Sequence, residues 1–140
     1  MPKIHEKYIG RRDGELCSPV IMVGDANPLN RKLLRDILTT KGYQVLEMTN
    51  GKHVVDSLIH RKPDLAMLNV NILGLSGPEV MARIRKEKIL ENVPVIIVGH
   101  WPKEATPIEG DAYFKHPISA TQLCSTIDTL LAQYRKYAVS

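Results

Sequence analysis

Short apolar runs alternate with helix-patterned stretches along this chain, and that alternation is its strongest constraint on fold. The runs are VIMV (20–23), YQVLEM (43–48), LAML (65–68) and PVIIV (94–98), with a shorter one at 112–114. PVIIV is apolar throughout. Such a run is buried on both faces, as the strands of a parallel sheet are. Parallel neighbours need long crossovers, and a helix between each pair supplies them. The sequence therefore predicts an α/β domain, a doubly wound five-stranded parallel sheet with helices on both faces and right-handed crossovers.

The helix boundaries carry recognisable end signals. Asn27 followed by Pro28 starts a first helix, with Leu29, Leu33, Leu34, Ile37 and Leu38 as its buried stripe and Gly42 as its stop. Asn50 and Gly51 open a second, with Val54, Val55, Leu58 and Ile59 inward and Pro63 at its end. A loop, NVNILGLSG (69–77), precedes a third helix that starts at Pro78 and turns Val80, Met81 and Ile84 inward. A last helix over about 119–134 buries Leu123, Ile127, Leu130 and Tyr134.

Composition limits the classes. A chain of 140 residues fits one core. Its net charge of +4 and pI of about 9.1 come from scattered residues: Arg31, Lys32 and Arg35; Arg83, Arg85, Lys86 and Lys88; Arg135 and Lys136. With one Trp and one Phe they form no aromatic-lined basic surface, so they are read as solvated helix faces and no nucleic-acid partner is expected. No apolar run nears the roughly 18 residues of a membrane span, and the N-terminus lacks the apolar stretch of a secretory signal. A cytoplasmic protein with Cys17 and Cys124 as reduced thiols follows, Cys124 being a small buried residue. Residues 1–18 read as a flexible N-terminal arm, 19–136 as the domain and 137–140 as a tail. His53 and His60 lack paired ligands and are placed at the surface. Gly74 and Gly77 have no following lysine and Ser/Thr pair, which excludes a phosphate-binding loop.

In open parallel sheets the site lies beyond the carboxyl ends of the strands. Those ends are Gly24–Asp25, Asn69, Gly99 and His116. The segments that carry them, VIMVGDANPLNRKLLRDILTTKGYQVLEMTNG, PDLAMLNVNILGLSGPEVMARIRK, VPVIIVGH and DAYFKHPIS, follow one another at the spacing of response-regulator receiver domains. The chain resembles that family over residues 19–134, and most of all its stand-alone single-domain members. The resemblance implies a flavodoxin-like receiver fold of strand order 2-1-3-4-5.

It also implies a phosphorylation pocket, and here the chain departs from the pattern. The two magnesium-holding acids fall on Asp25 and Ala26, the phosphoacceptor on Asn69, the switch hydroxyl on Gly99 and the lysine on His116. Four of five positions are replaced. At about 4 Å and an effective dielectric near 20, each missing carboxylate removes about 8 kcal/mol of gross attraction to a divalent ion. Magnesium binding is therefore predicted lost, no cofactor is expected, and the chain is read as a non-enzymatic, degenerate pseudo-receiver. His116 either pairs with Asp25 or stands at the polar rim. His116–Pro117 matches a bond that is cis in the family.

Pro102 and Pro107 fall where the family has a helix between its fourth and fifth strands. A proline within a helix costs about 3 kcal/mol, and no apolar stripe here offsets it. The fourth helix is expected to be shortened or missing. Trp101 then either anchors a partner or folds back over the bared sheet. Tyr113, which matches the family's switch aromatic, has lost its trigger and is expected to hold one orientation. Trp101, Tyr113, Lys115 and Pro117 form the candidate partner face.

The function this implies is a phosphorylation-independent interaction module in two-component or cell-cycle signalling. Its expected partners are a histidine kinase, a phosphotransfer protein or another response regulator, with a homodimer as a further option. No output domain follows residue 140, so direct DNA binding is not expected of this chain. The competing readings are a phosphoacceptor that uses another residue, such as Ser76 or Asp25, and a small-molecule sensor.

Overall fold

The computed structural model describes residues 18–102 and 106–134. The expected arm, apart from Ser18, and the expected tail lie outside the described residues. Five strands, β1 (Val20–Gly24), β2 (Gln44–Met48), β3 (Leu65–Asn69), β4 (Val95–Val98) and β5 (Ala112–Phe114), form one parallel sheet in the order β2-β1-β3-β4-β5. The central strands β1, β3 and β4 are buried along their whole length, as their unbroken apolar runs require.

Among the described residues, four helices of two turns or more cover the sheet: α1 (Pro28–Thr40), α2 (Val54–Arg61), α3 (Gly77–Lys86) and α4 (Ala120–Tyr134). Alternate residues of each strand point to opposite faces and meet different helices. Ile21 and Val23 join Leu34 and Leu38 of α1 and Leu123 and Ile127 of α4 in one core layer. Met22 joins Val55 and Leu58 of α2 and Met81 and Ile84 of α3 in the other. Each such side chain contributes about 1.5–3 kcal/mol on full burial.

Two sequence expectations are corrected. The stripe assigned to α1 is too wide to be buried whole. Leu29, Leu33, Ile37, Leu34 and Leu38 span about half of the helix circumference, and a sheet covers a narrower arc. That arc centres on Leu34 and Leu38, leaving Leu29 75% and Leu33 46% exposed. The segment 69–77 is not an irregular loop. It forms two successive helical turns, Val70–Leu73 and Gly74–Ser76, because the Asn69 side chain caps the first by accepting from Asn71 N at 2.9 Å.

The crossover from β4 to β5 contains no helix among the described residues. Trp101 is half-buried against the α2–α3 core layer, and its Nε1 donates to Thr106 O at 2.7 Å. Ile108 is buried and closes on Gly77, where a Cβ would stand 2.6 Å from Ile108 Cδ1. Trp101 and Ile108 thus cover the surface that a crossover helix would have covered.

Candidate functional site

The chain leaves β1 and β3 in opposite directions, and the crevice above their carboxyl ends holds Asp25 and Asn69. Both side chains are almost completely buried, at 1% and 6% exposure. The Asp25 backbone is clamped at both ends: its N–H donates to Met48 O at 3.0 Å, and its carbonyl accepts from Arg31 Nη1 at 2.7 Å. Arg31 also bonds Glu47 on β2, as does Arg35. The Arg35 guanidinium foremost, with Arg31 behind it, holds the Glu47 carboxyl below its usual range despite partial desolvation. This cluster fixes the first turn of α1 over the sheet edge.

The Asp25 carboxylate is enclosed by N–H donors. Asn69 Nδ2 donates to Oδ2 at 2.9 Å, while Asn71 Nδ2 and the backbone N–H of Asn27 donate to Oδ1 at 2.8 and 2.9 Å. Neither amide can be turned around without loss. Asn69 Oδ1 already accepts from Asn71 N, and Asn71 Oδ1 accepts from Ala26 N at 3.0 Å. Each side chain therefore presents nitrogen to Asp25 because a backbone N–H has claimed its oxygen.

Asn71 was not singled out by sequence reasoning. Its one signal is the Asn-x-Asn spacing, in which a short polar side chain lies two residues beyond a capping asparagine.

Ala26 is exposed and brings only its backbone N–H to the cluster. Gly99 sits against Asn69 with φ of 109°, a conformation open to glycine but strained for other residues. A Cβ there would stand 2.9 Å from Val70 Cγ2 and 3.1 Å from Asn69 Oδ1. The space beside Asn69 is thus closed to a side chain at position 99.

His116 is exposed at the rim, and Asp25 takes its hydrogen bonds from Asn69, Asn71 and Asn27. The two alternatives for His116 resolve to the rim position. Its bond to Pro117 is cis. Tyr113 is 60% exposed, and its hydroxyl donates to Ile108 O and accepts from Gly110 N, both at 2.8 Å. Lys115 and Pro117 are exposed beside it, whereas Trp101 is turned inward. Ser76 Oγ donates to Leu73 O within its own turn. His53 and His60 are exposed and Cys124 is buried.

Comparison with known proteins agrees with this fold. The family model of the response regulator receiver domain matches residues 20–128. A polar-differentiation response regulator, DivK of Brucella anthropi, is 30% identical over 121 residues, covering 79% of this chain and 94% of its own. A CheY-like receiver domain protein of Methanospirillum hungatei superposes with a TM-score of 0.74 at 19% identity, covering 86% of this chain and 99% of that one. A receiver domain of a sensor histidine kinase from Pseudomonas aeruginosa, solved with a magnesium ion coordinated in its active site cleft, gives 0.72 at 18% identity, covering 83% and 99%.

Proposed function

This chain belongs to the response regulator receiver domain family, and from that premise we propose that it is a pseudo-receiver that works without phosphorylation. The observation that carries the reading is the amide cage: both oxygens of the Asp25 carboxylate accept from the side-chain amides of Asn69 and Asn71.

A magnesium ion, which the family resemblance implies, needs several hard oxygens in near-octahedral array. The residues present do not fit it. Asn69 and Asn71 turn N–H groups, not oxygens, toward the shared carboxylate. Ala26 offers no side-chain ligand. An amide at position 69 also has no anionic oxygen to attack a phosphoryl group. The cage satisfies the Asp25 carboxylate with N–H donors and ties the β1 and β3 loops together.

The functional role left to such a domain is recognition by surface. The expected partners are a histidine kinase, a phosphotransfer protein or a second response regulator, met in the cytoplasm. The likeness to polar-differentiation response regulators supports a place in cell-cycle or polarity signalling. The exposed group Tyr113, Lys115 and Pro117 forms the proposed contact face, and Trp101 belongs to its support rather than its surface.

Incubation with magnesium and acetyl phosphate, followed by intact-mass measurement, tests the proposal. The protein is expected to stay unmodified. A stable adduct of one phosphoryl group, mapped to any residue of the pocket or to Ser76, overturns it.

A further inference from the structure

β2 stands at one edge of the sheet, and its hydrogen-bonding groups alternate between the neighbouring strand and the open side. Gln44 N donates to Pro19 O at 2.9 Å, and Met48 O accepts from Asp25 N at 3.0 Å, so residues 44, 46 and 48 face β1. Val45 and Glu47 therefore turn their N–H and C=O groups outward. Among the described residues, the hydrogen bond to these outward groups comes from a side chain. Arg61, at the end of α2, donates from Nη1 to Glu47 O at 3.0 Å. Its guanidinium holds the place where the N–H of an adjoining strand would donate.

Positive charge is in surplus around the same residue. Arg31 Nε and Arg35 Nη1 bond the Glu47 carboxylate at 3.2 and 2.7 Å, one on each oxygen. That carboxylate is already shared by two guanidinium groups. Arg61 has no carboxylate partner among the described residues. Arg31 and Arg35 reach the edge from α1, on one face of the sheet, and Arg61 reaches it from α2, on the other.

We propose that the open edge of β2 is a docking site for an acidic extended segment of a partner protein, which adds to the sheet as a further strand and brings a carboxylate to Arg61. The outward groups of Val45 and Glu47 supply the pairing, and the surplus of guanidinium supplies the selection. Neighbouring residues of a strand point to opposite faces, so two adjacent acids reach the arginines on both. Arg61 is exposed and held by a neutral carbonyl. It exchanges that contact for a stronger, charge-assisted bond when a carboxylate arrives. A second copy of this chain does not fit, because its β2 edge would bring the same arginines. Nucleic acid does not fit either, having no peptide backbone to pair with the outward N–H and C=O groups. The site lies at the edge of the sheet opposite β5 and Tyr113, and it is independent of the state of the Asp25 pocket.

A short, capped peptide of valine and threonine around two adjacent glutamates tests the site, with the full chain followed by amide NMR. The Val45 and Glu47 amide signals are expected to shift as the peptide is added and to exchange more slowly with solvent at saturation. Binding should weaken as added salt screens the contact. A peptide with prolines in place of the valines keeps the charge but loses strand N–H groups, and it should not bind. Arg61→Gln should weaken binding of the acidic peptide by about fivefold or more, while leaving the thermal midpoint in place because the side chain is exposed. The proposal is overturned if the acidic peptide moves neither amide at millimolar concentration. Equal binding of the proline peptide also overturns it, by reducing the site to a patch of charge. So does unchanged or tighter binding in Arg61→Gln, which would make Arg61 a guard of the edge rather than part of the site.

Discussion

The side-chain amide of Asn69 donates to the carboxylate of Asp25 at 2.9 Å and so joins the tip of β3 to the tip of β1. That contact needs an amide. A carboxylate at 69 would put two anions about 3 Å apart, with a gross repulsion near 6 kcal/mol at an effective dielectric of about 20. The asparagine changes the sign of the contact, from one that demands a cation to one that satisfies itself.

Asn69→Asp is therefore expected to destabilise the protein by about 2–4 kcal/mol in the presence of a chelator, between the loss of a buried hydrogen bond and the burial of an unpaired charge. Part of that loss should return at millimolar magnesium, while the unsubstituted protein should unfold at the same urea concentration with chelator or magnesium. A clear magnesium-dependent rise in the midpoint of the unsubstituted protein would contradict the caged-carboxylate reading.

Gly99 makes the reverse substitution costly. Restoring a hydroxyl as Gly99→Ser asks a residue with a Cβ to adopt φ of 109° and to press within 2.9 Å of Val70 Cγ2. A loss of about 1–3 kcal/mol is expected from strain alone, read as a lower urea midpoint. Were Gly99→Ser to leave the midpoint unchanged, the pocket would be more open than its geometry indicates.

Most of this fold was legible in the sequence because burial on both faces leaves an unbroken apolar run, and β1, β3 and β4 are such runs. The helix starts at Asn27 and Asn50 were legible because their side chains cap as their position suggests. The outward placement of Leu29 and Leu33 was not, since hydrophobic periodicity marks an apolar arc without saying where the sheet's cover ends. The helical turns at 70–76 escaped because one cap and two glycines read equally as a loop. In the pocket, the missing acids were plain from residue identity. Asn71 was hidden because its role depends on a contact 46 residues away in sequence.

Tyr43 gives the protein a sensitivity to alkali. It is 3% exposed and its hydroxyl donates to Asp128, so burial first and the neighbouring carboxylate second push its pKa well above the ordinary value of 10.0. The folded state thus keeps a proton that the unfolded chain loses. The stabilising contribution is whole below about pH 10 and declines above it, by up to about 1.4 kcal/mol per pH unit. Tyr43→Phe is expected to cost about 1 kcal/mol at neutral pH, through the lost hydrogen bond, and to flatten the decline in stability between pH 10 and 11. Equal slopes for the two proteins would show that Tyr43 is not the titrating group.

Asp111 sets the corresponding limit in acid. Its Oδ2 accepts from Arg85 Nη2 and from Val95 N, both at 2.7 Å, and its Oδ1 accepts from the Tyr134 hydroxyl. It thereby ties α3, β4 and α4 together at the start of β5. Burial works to raise its pKa, but the hydrogen bonds from Tyr134, Val95 and Arg85 prevail and hold the carboxyl below its ordinary value of 3.8. A depressed folded-state value means that the contribution is present above about pH 4 and disappears as pH falls through the folded value. Asp111→Asn keeps the shape but loses the charge that draws the Arg85 guanidinium. It is expected to cost about 1.5–3 kcal/mol at pH 7, the range for hydrogen bonds to charged groups, and little more as the pH is lowered from 4 to 2. The unsubstituted protein should lose stability over that interval and converge on the variant. Glu47, also held low, titrates in both proteins, so the difference between their acid-unfolding curves isolates Asp111. Parallel curves from pH 7 to pH 2 would remove Asp111 from the account of acid stability.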